Sequence, residues 1–216
     1  MHKLDRNSIP APACLAGYHW RRDKWDDVTA GDRAEINAAL KSMQGTLCAY
    51  CEGPAKDGDA HIEHFRRKDS HHSPQLTFDW SNLFRSCGSR KHCGHFKDRP
   101  RGDPYDPNDL IKPDVTDPDS FLYFHTSGEV RVRRGLDDAG VRRASETIRV
   151  FGLNDRVLTG RRDVALRQYL SANPGILELL AEFSPDERAE LIRDEVSRTS
   201  GEPFCTMIRS LLMVDA

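Results

Sequence analysis

An α+β fold is what this sequence predicts: a small core stapled by zinc-binding cysteines, with an N-terminal arm and one helix before it and a mostly helical C-terminal extension after it. Three observations carry that expectation. Two short cysteine pairs frame residues 48–93, helical periodicity marks 29–44 and returns after residue 133, and the β-type runs are short and lie between. At 216 residues the chain suits one medium domain or two small ones. Charged residues make up 31% and the formal net charge is −2, so overall charge neither favours nor excludes nucleic acid. The distribution says more. Between His61 and Arg101 nine Lys or Arg stand against four Asp or Glu, and six of the nine His lie in the same stretch. A local basic patch is therefore embedded in a nearly neutral chain.

Residues 1–28 carry Pro10, Pro12, Tyr18, Trp20 and Trp25 without a clear period and are read as an extended arm whose aromatics dock on the protein's own body. Residues 29–101 hold a helix and the cysteine-framed module. Thr29 is a natural N-cap, Ile36, Ala39, Leu40 and Met43 keep helical spacing, and Gly45 ends the run. Residues 102–120 contain six Asp and four X-Pro steps and read as a turn-rich linker. In 121–216, Phe121–His125 and Glu129–Arg133 flank Ser127-Gly128 as a hairpin. Val141, Ala144, Ile148 and Phe151 then share one helical face, and a second helix runs from about Asn154 to Leu170. Ser184-Pro185-Asp186-Glu187 is a helix start, and Phe204, Met207, Ile208, Leu211 and Leu212 form an apolar stripe that faces the core or another subunit. This last region is a candidate partner interface.

The first ten residues lack the apolar centre of a secretory signal and no run of eighteen apolar residues occurs, so a cytoplasmic protein without membrane contact is expected. In that reducing compartment a C-x2-C pair points to metal or redox chemistry rather than disulfides. Cys48 and Cys51, then Cys87 and Cys93, supply four thiolates in two short pairs, which is what tetrahedral zinc requires. Unpaired buried thiols and a redox role for Cys48 and Cys51 are the competing readings, the second weakened by the lack of a βαβ pattern. Four sulfur ligands leave no open position, so such an ion is structural. Cys14 and Cys205 stand alone and read as packed thiols.

Inside this frame lie Ile62-Glu63-His64-Phe65-Arg66 and Trp80-Ser81-Asn82-Leu83, and just beyond the last cysteine Gly94-His95-Phe96-Lys97. Phosphodiester hydrolysis needs a base, a cation that neutralises the phosphorane and side chains that hold neighbouring phosphates. Histidine can be the base at neutral pH, and Glu, His and Asn can hold a hydrated cation. Arg66, Lys68, Arg85 and Lys97 are candidate phosphate or DNA contacts, with solvated surface as the plain alternative. His61, His71, His72 and His92 read as ordinary loop histidines.

Taken in order, these motifs resemble the zinc-framed HNH (ββα-metal) endonucleases, and over about residues 1–170 the nuclease subunits of Septu and retron-associated anti-phage systems. The resemblance implies a β-hairpin and helix gripping one catalytic Mg2+ or Mn2+ beside a structural Zn2+. It makes His64 the general base, Glu63 and His95 metal ligands, and Asn82 either a metal ligand or the residue that holds the loop. It further implies DNA as substrate, no small-molecule substrate, and an ABC-type ATPase as partner in antiviral defence. Two positions depart from the pattern. Gly94 fills the slot directly after the last cysteine where many HNH enzymes carry a ligand, leaving open which group completes the cation shell, and Arg67 stands where Pro is expected nearby. A binding or adaptor module that has lost catalysis, and a nuclease directed at RNA, are the alternatives.

Overall fold

The computed structural model describes residues 1–213. Helix α1, Ala30–Gln44, starts where the Thr29 hydroxyl accepts a hydrogen bond from the Asp32 amide at 3.1 Å and ends at Gly45, whose φ of 65° turns the chain out of the helix. Its last residue does unusual duty. The buried Gln44 amide donates to Leu47 O and Arg85 O and accepts from Arg85 N, so a side chain takes the place of a neighbouring strand.

The partner of that edge belongs to a two-stranded antiparallel sheet. Strand β1, His61–His64, pairs with β2, Leu83–Ser86, with Glu63 opposite Phe84 and His64 opposite Leu83. Alternation along β1 sends His61 and Glu63 to one face and Ile62 and His64 to the other. Helix α2, Cys93–Lys97, follows and packs beside the first face. A second hairpin, β3 (Leu122–Phe124) and β4 (Val130–Val132), leads into helices α3 (Asp138–Val150), α4 (Arg156–Ala172), α5 (Ile176–Glu182), α6 (Pro185–Arg198) and α7 (Cys205–Leu212). The α6 start has the expected reciprocal cap between Ser184 and Glu187.

One apolar cluster joins the two halves. It contains the four cysteines, Tyr50, Phe65 and Phe84 with Leu110, Ile111, Leu122, Phe151 and Met207. This corrects the linker assigned to 102–120. Its Asp-Pro steps do form short 3-10 turns, Pro107–Asp109 and Pro118–Ser120, each capped by the preceding aspartate. Leu110 and Ile111 between them are buried, and the Ile111 amide donates to Thr147 Oγ1 at 2.8 Å.

Two further expectations change, and one left open between two alternatives is decided. The arm 1–28 is not extended but folds into 3-10 turns at Arg6–Ser8, Ala13–Gly17 and Trp25–Asp27, with Leu4, Leu15 and Trp25 buried and Tyr18 stacked on Phe78. On α3 the buried face runs through Gly140, Ala144, Thr147 and Val150, leaving Val141 exposed. The α7 stripe is spent on the chain's own core: Met207 joins the main cluster, while Ile208 and Leu212 pack with Tyr169, Ile176 and Leu180. No helix among the described residues is long and apolar enough to cross a membrane.

Candidate functional site

The four cysteines of the two pairs converge. Cys48, Cys51, Cys87 and Cys93 are buried with their sulfurs all within 4.8 Å of one another. A tetrahedron with Zn–S bonds of ~2.3 Å has S···S edges of ~3.8 Å, and Cys51 Sγ lies 3.9 Å from Cys87 Sγ. The backbone is shaped for it. Glu52 adopts a left-handed φ of 62°, which lets the Gly53 amide turn back and donate to Cys51 Sγ at 3.3 Å. Cys93 also has a positive φ, 64°, and is anchored by its amide to Phe151 O at 2.7 Å. Buried His92 places Nδ1 3.1 Å from Cys93 Sγ and 3.8 Å from Cys87 Sγ, where an N–H supports a thiolate. Four such thiols do not ionise together without a cation: sharing hydrogen bonds with Cys48 and Cys87 pushes Cys51 up, and burial pushes Cys93 up. The cluster could hold a metal such as zinc.

Its surroundings tie it to the rest of the chain. The Glu52 carboxylate, fully buried, accepts from the Thr206 amide at 3.1 Å and from the Thr206 hydroxyl, which docks α7 onto the cysteine turn. α7 therefore belongs to the body that supports the site.

On the α2-facing side of β1 sits a second group. Glu63 Oε1 is 2.8 Å from Lys97 Nζ, and Glu63 Oε2 is 3.3 Å from His61 Nε2. The His61 ring lies flat against His95, centroids 3.8 Å apart and planes 13° from parallel. Burial opposes the Glu63 charge, but the Lys97 ammonium and His61 outweigh it and hold the carboxyl at about 2. Lys97 also meets His64 O at 3.0 Å and Asp98 Oδ1 at 2.7 Å. Burial works against its charge too, yet Glu63 and Asp98 keep it well above the ordinary lysine range. Gly94 makes this arrangement fit, since a Cβ there would stand 2.4 Å from Glu63 Oε2 and 2.9 Å from His61 Nε2.

His64 occupies the opposite side. Its Nε2 donates to Thr77 O at 2.9 Å, which fixes the tautomer and leaves the lone pair on Nδ1. The edge-on contact with Trp25, centroids 4.5 Å apart at 88°, packs the N-terminal arm against the imidazole. Burial, with Lys68 nearby, lowers its pKa to about 4, so the ring is neutral at physiological pH. His64 lines an open cleft of about 370 Å³ together with Arg67, Lys68, Arg99 and Arg101 and the carboxylates of Asp69 and Asp98, the last paired with Arg67 at 2.9 Å. Asn82 holds the loop above it: Oδ1 accepts from Arg66 N at 2.8 Å, and Nδ2 donates to Arg66 O at 3.0 Å and Leu76 O at 3.1 Å.

No protein-family model matches this chain, and neither does any curated protein.

The structure gathers the predicted residues into two adjoining groups, Glu63 with His95 and Lys97, and His64 with Lys68. The backbone of His64 and the ammonium of Lys97 connect them. Among the described residues, neither Glu63 nor His95 belongs to a set of three His, Cys, Asp or Glu ligand atoms within 4.8 Å of one another. The Asn82 amide is spent on backbone, so its role is the loop, and His95 is reached through the face of His61. Two of the four phosphate contacts are also corrected. Arg85 is buried and donates to Ala55 O at 2.6 Å and Asp57 Oδ1 at 2.8 Å, and Lys97 is buried in its ion pairs, so neither faces a ligand. Arg66 is half-buried and donates to Asn108 Oδ1 at 2.6 Å, which leaves Lys68 on the cleft. Sequence reasoning missed His61 and Trp25, and met Arg67 only as a departure from the expected pattern that could add phosphate contacts. The i, i+2 relation of His61 to Glu63 was the one available signal for the first.

Proposed function

We propose that the chain is a metal-dependent HNH (ββα) endonuclease that hydrolyses phosphodiester bonds of DNA. The observation that carries this is His64, a buried, neutral imidazole held in one tautomer at the rim of a cleft rich in Arg and Lys. It sits at the end of the first strand of a strand–loop–strand–helix unit framed by four cysteines. Such a unit supports the nuclease reading because each part has work to do there.

His64 Nδ1 takes a proton from the attacking water, and the Thr77 carbonyl steadies the ring as it becomes positive. Asn82 keeps residues 65–82 in register so that His64 and Lys68 face the same cleft. Lys68 and Arg101, which line the same cleft, hold the phosphates on either side of the scissile bond. Glu63 remains ionised and is the side chain best suited to holding a divalent cation. When bound there, such a cation, Mg2+ or Mn2+, would supply neutralisation of the phosphorane and of the leaving oxygen. Zinc at the cysteines would fix the frame without joining the chemistry.

The test is cleavage of supercoiled plasmid and of a single-stranded RNA of matched length, with Mg2+ or Mn2+ and with EDTA. The reading requires metal-dependent nicking or cutting of the DNA. Cleavage of RNA alone favours the RNA-directed enzyme, and tight binding of DNA without cleavage favours the adaptor. By sequence resemblance we further propose that this nuclease works beside an ABC-type ATPase in anti-phage defence, which co-purification with a neighbouring ATPase subunit would test.

A further inference from the structure

Glu63 and His61 project from the same face of β1, two residues apart, and present Oε2 and Nε2 to each other at 3.3 Å. A cation in octahedral coordination with ligand distances of ~2.1 Å has cis ligands ~3 Å apart, so a small closure of this pair brackets one metal position. Three further features set the pair apart from an ordinary surface ion pair. Glu63 is buried, its side chain only 6% exposed. Glu63 Oε1 is taken by the Lys97 ammonium at 2.8 Å, which leaves Oε2 as the oxygen turned to His61, and His61 Nδ1 is buried without a hydrogen-bond partner among the described residues. The Gly94 hydrogen face opens toward them both, and any side chain at that position would fill the space.

His95 contributes differently. Its ring covers the face of His61 rather than adding a nitrogen at the edge, and Glu63, His61 and His95 do not offer three atoms within 4.8 Å of one another. We propose that His61 and Glu63 together ligate a divalent cation, that His61 occupies the place an HNH enzyme would otherwise fill from position 94, and that His95 is a positioning residue that holds the His61 ring. The choice of a hard, nucleic-acid-associated cation rests on the nuclease reading; the ligand assignment rests on the geometry. One imidazole and one carboxylate suit Mn2+ better than Mg2+, because nitrogen ligands gain relative to oxygen along that step.

The experiment is a Mn2+ titration of the zinc-loaded full chain followed by electron paramagnetic resonance, with pulsed detection of nitrogen coupled to the manganese. Zinc content and Tm are recorded for every variant. Expected are Mn2+ binding with one imidazole coupling in the wild type, and a loss of affinity of at least about tenfold together with the nitrogen coupling in His61→Phe. Phenylalanine keeps the stack and the volume, so His61→Phe separates ligation from packing. His95→Phe is expected to retain both the coupling and most of the affinity. Wild type that binds no Mn2+, His61→Phe that binds with its nitrogen coupling intact, or His95→Phe that loses the coupling while folded would each overturn the assignment. DNA cleavage measured alongside separates the two ideas: ligation by His61 with no cleavage refutes the nuclease alone, and cleavage unchanged in a His61→Phe that binds Mn2+ like wild type refutes this inference alone.

Discussion

Replacing Lys97 by Met keeps the aliphatic stem and removes the ammonium that joins β1 to α2. In the structure that ammonium faces Glu63 Oε1 at 2.8 Å, Asp98 Oδ1 at 2.7 Å and His64 O at 3.0 Å, with none of it exposed. Against burial, Lys97 and His61 together hold Glu63 at about 2 rather than 4.5, which corresponds to about 3 kcal/mol of stability at neutral pH, with Lys97 the larger contributor. Removing one partner of a buried pair costs about 3–5 kcal/mol, so the two routes agree. For a chain of this length that is a fall in Tm of roughly 10 °C. The sign follows from the depressed carboxyl: the stabilisation is complete above pH 4.5 and fades as pH falls toward 2, so the gap between wild type and Lys97→Met narrows in acid. Denaturant melts in magnesium-free buffer at pH 7 and pH 3.5 measure it, and Glu63→Gln combined with Lys97→Met recovers part of the loss because no buried charge is left alone. A Lys97→Met protein that loses under about 1 kcal/mol while its DNA affinity drops would refute this account and return Lys97 to the phosphate-contact role.

Asn82→Ala leaves Arg66 N, Arg66 O and Leu76 O without their partner and is expected to cost about 2–3 kcal/mol and to slow cleavage, with zinc content unchanged; urea melts and elemental analysis check it. Cys48→Ser is expected to lose the metal and to unfold at 25 °C, since such a site supplies on the order of 10 kcal/mol; a folded, metal-free variant with native circular dichroism would argue that the thiols are merely packed. Because burial lowers His64 to about 4, the acid limb of the cleavage rate is expected near pH 4 and not near 6.5. A rate profile falling with a midpoint at 6.5 would assign the base to another histidine.

What was legible in the sequence was local. The Thr29 and Ser184 caps, the Gly45 stop and the Ser127-Gly128 turn involve partners within a few residues, so the pattern carries its own confirmation. The cysteine frame was legible because four thiols in short pairs have few other uses. What escaped was decided by distant partners. Arg85 and Lys97 look like free cations until Ala55, Asp57 and Glu63 arrive from elsewhere in the chain. Leu110 and Ile111 were hidden among Asp-Pro turns, although two adjacent apolar residues in a polar linker are what an anchor to the core looks like. His61 read as a loop histidine because nothing in its neighbours announces that Gly94, more than thirty positions on, leaves room beside Glu63. Trp25 on His64 is likewise a contact between segments that no periodicity links.

The most direct test of the nuclease account is single-turnover cleavage of one defined DNA duplex by wild type and His64→Ala, prepared with equal zinc content and matching melts, in saturating Mn2+. Removal of the base is expected to slow cleavage by at least about 100-fold while DNA binding stays within a few-fold of wild type. Equal rates from the two proteins would contradict the assignment of His64 as the base, and no cleavage by wild type would contradict the reading of this chain as a nuclease.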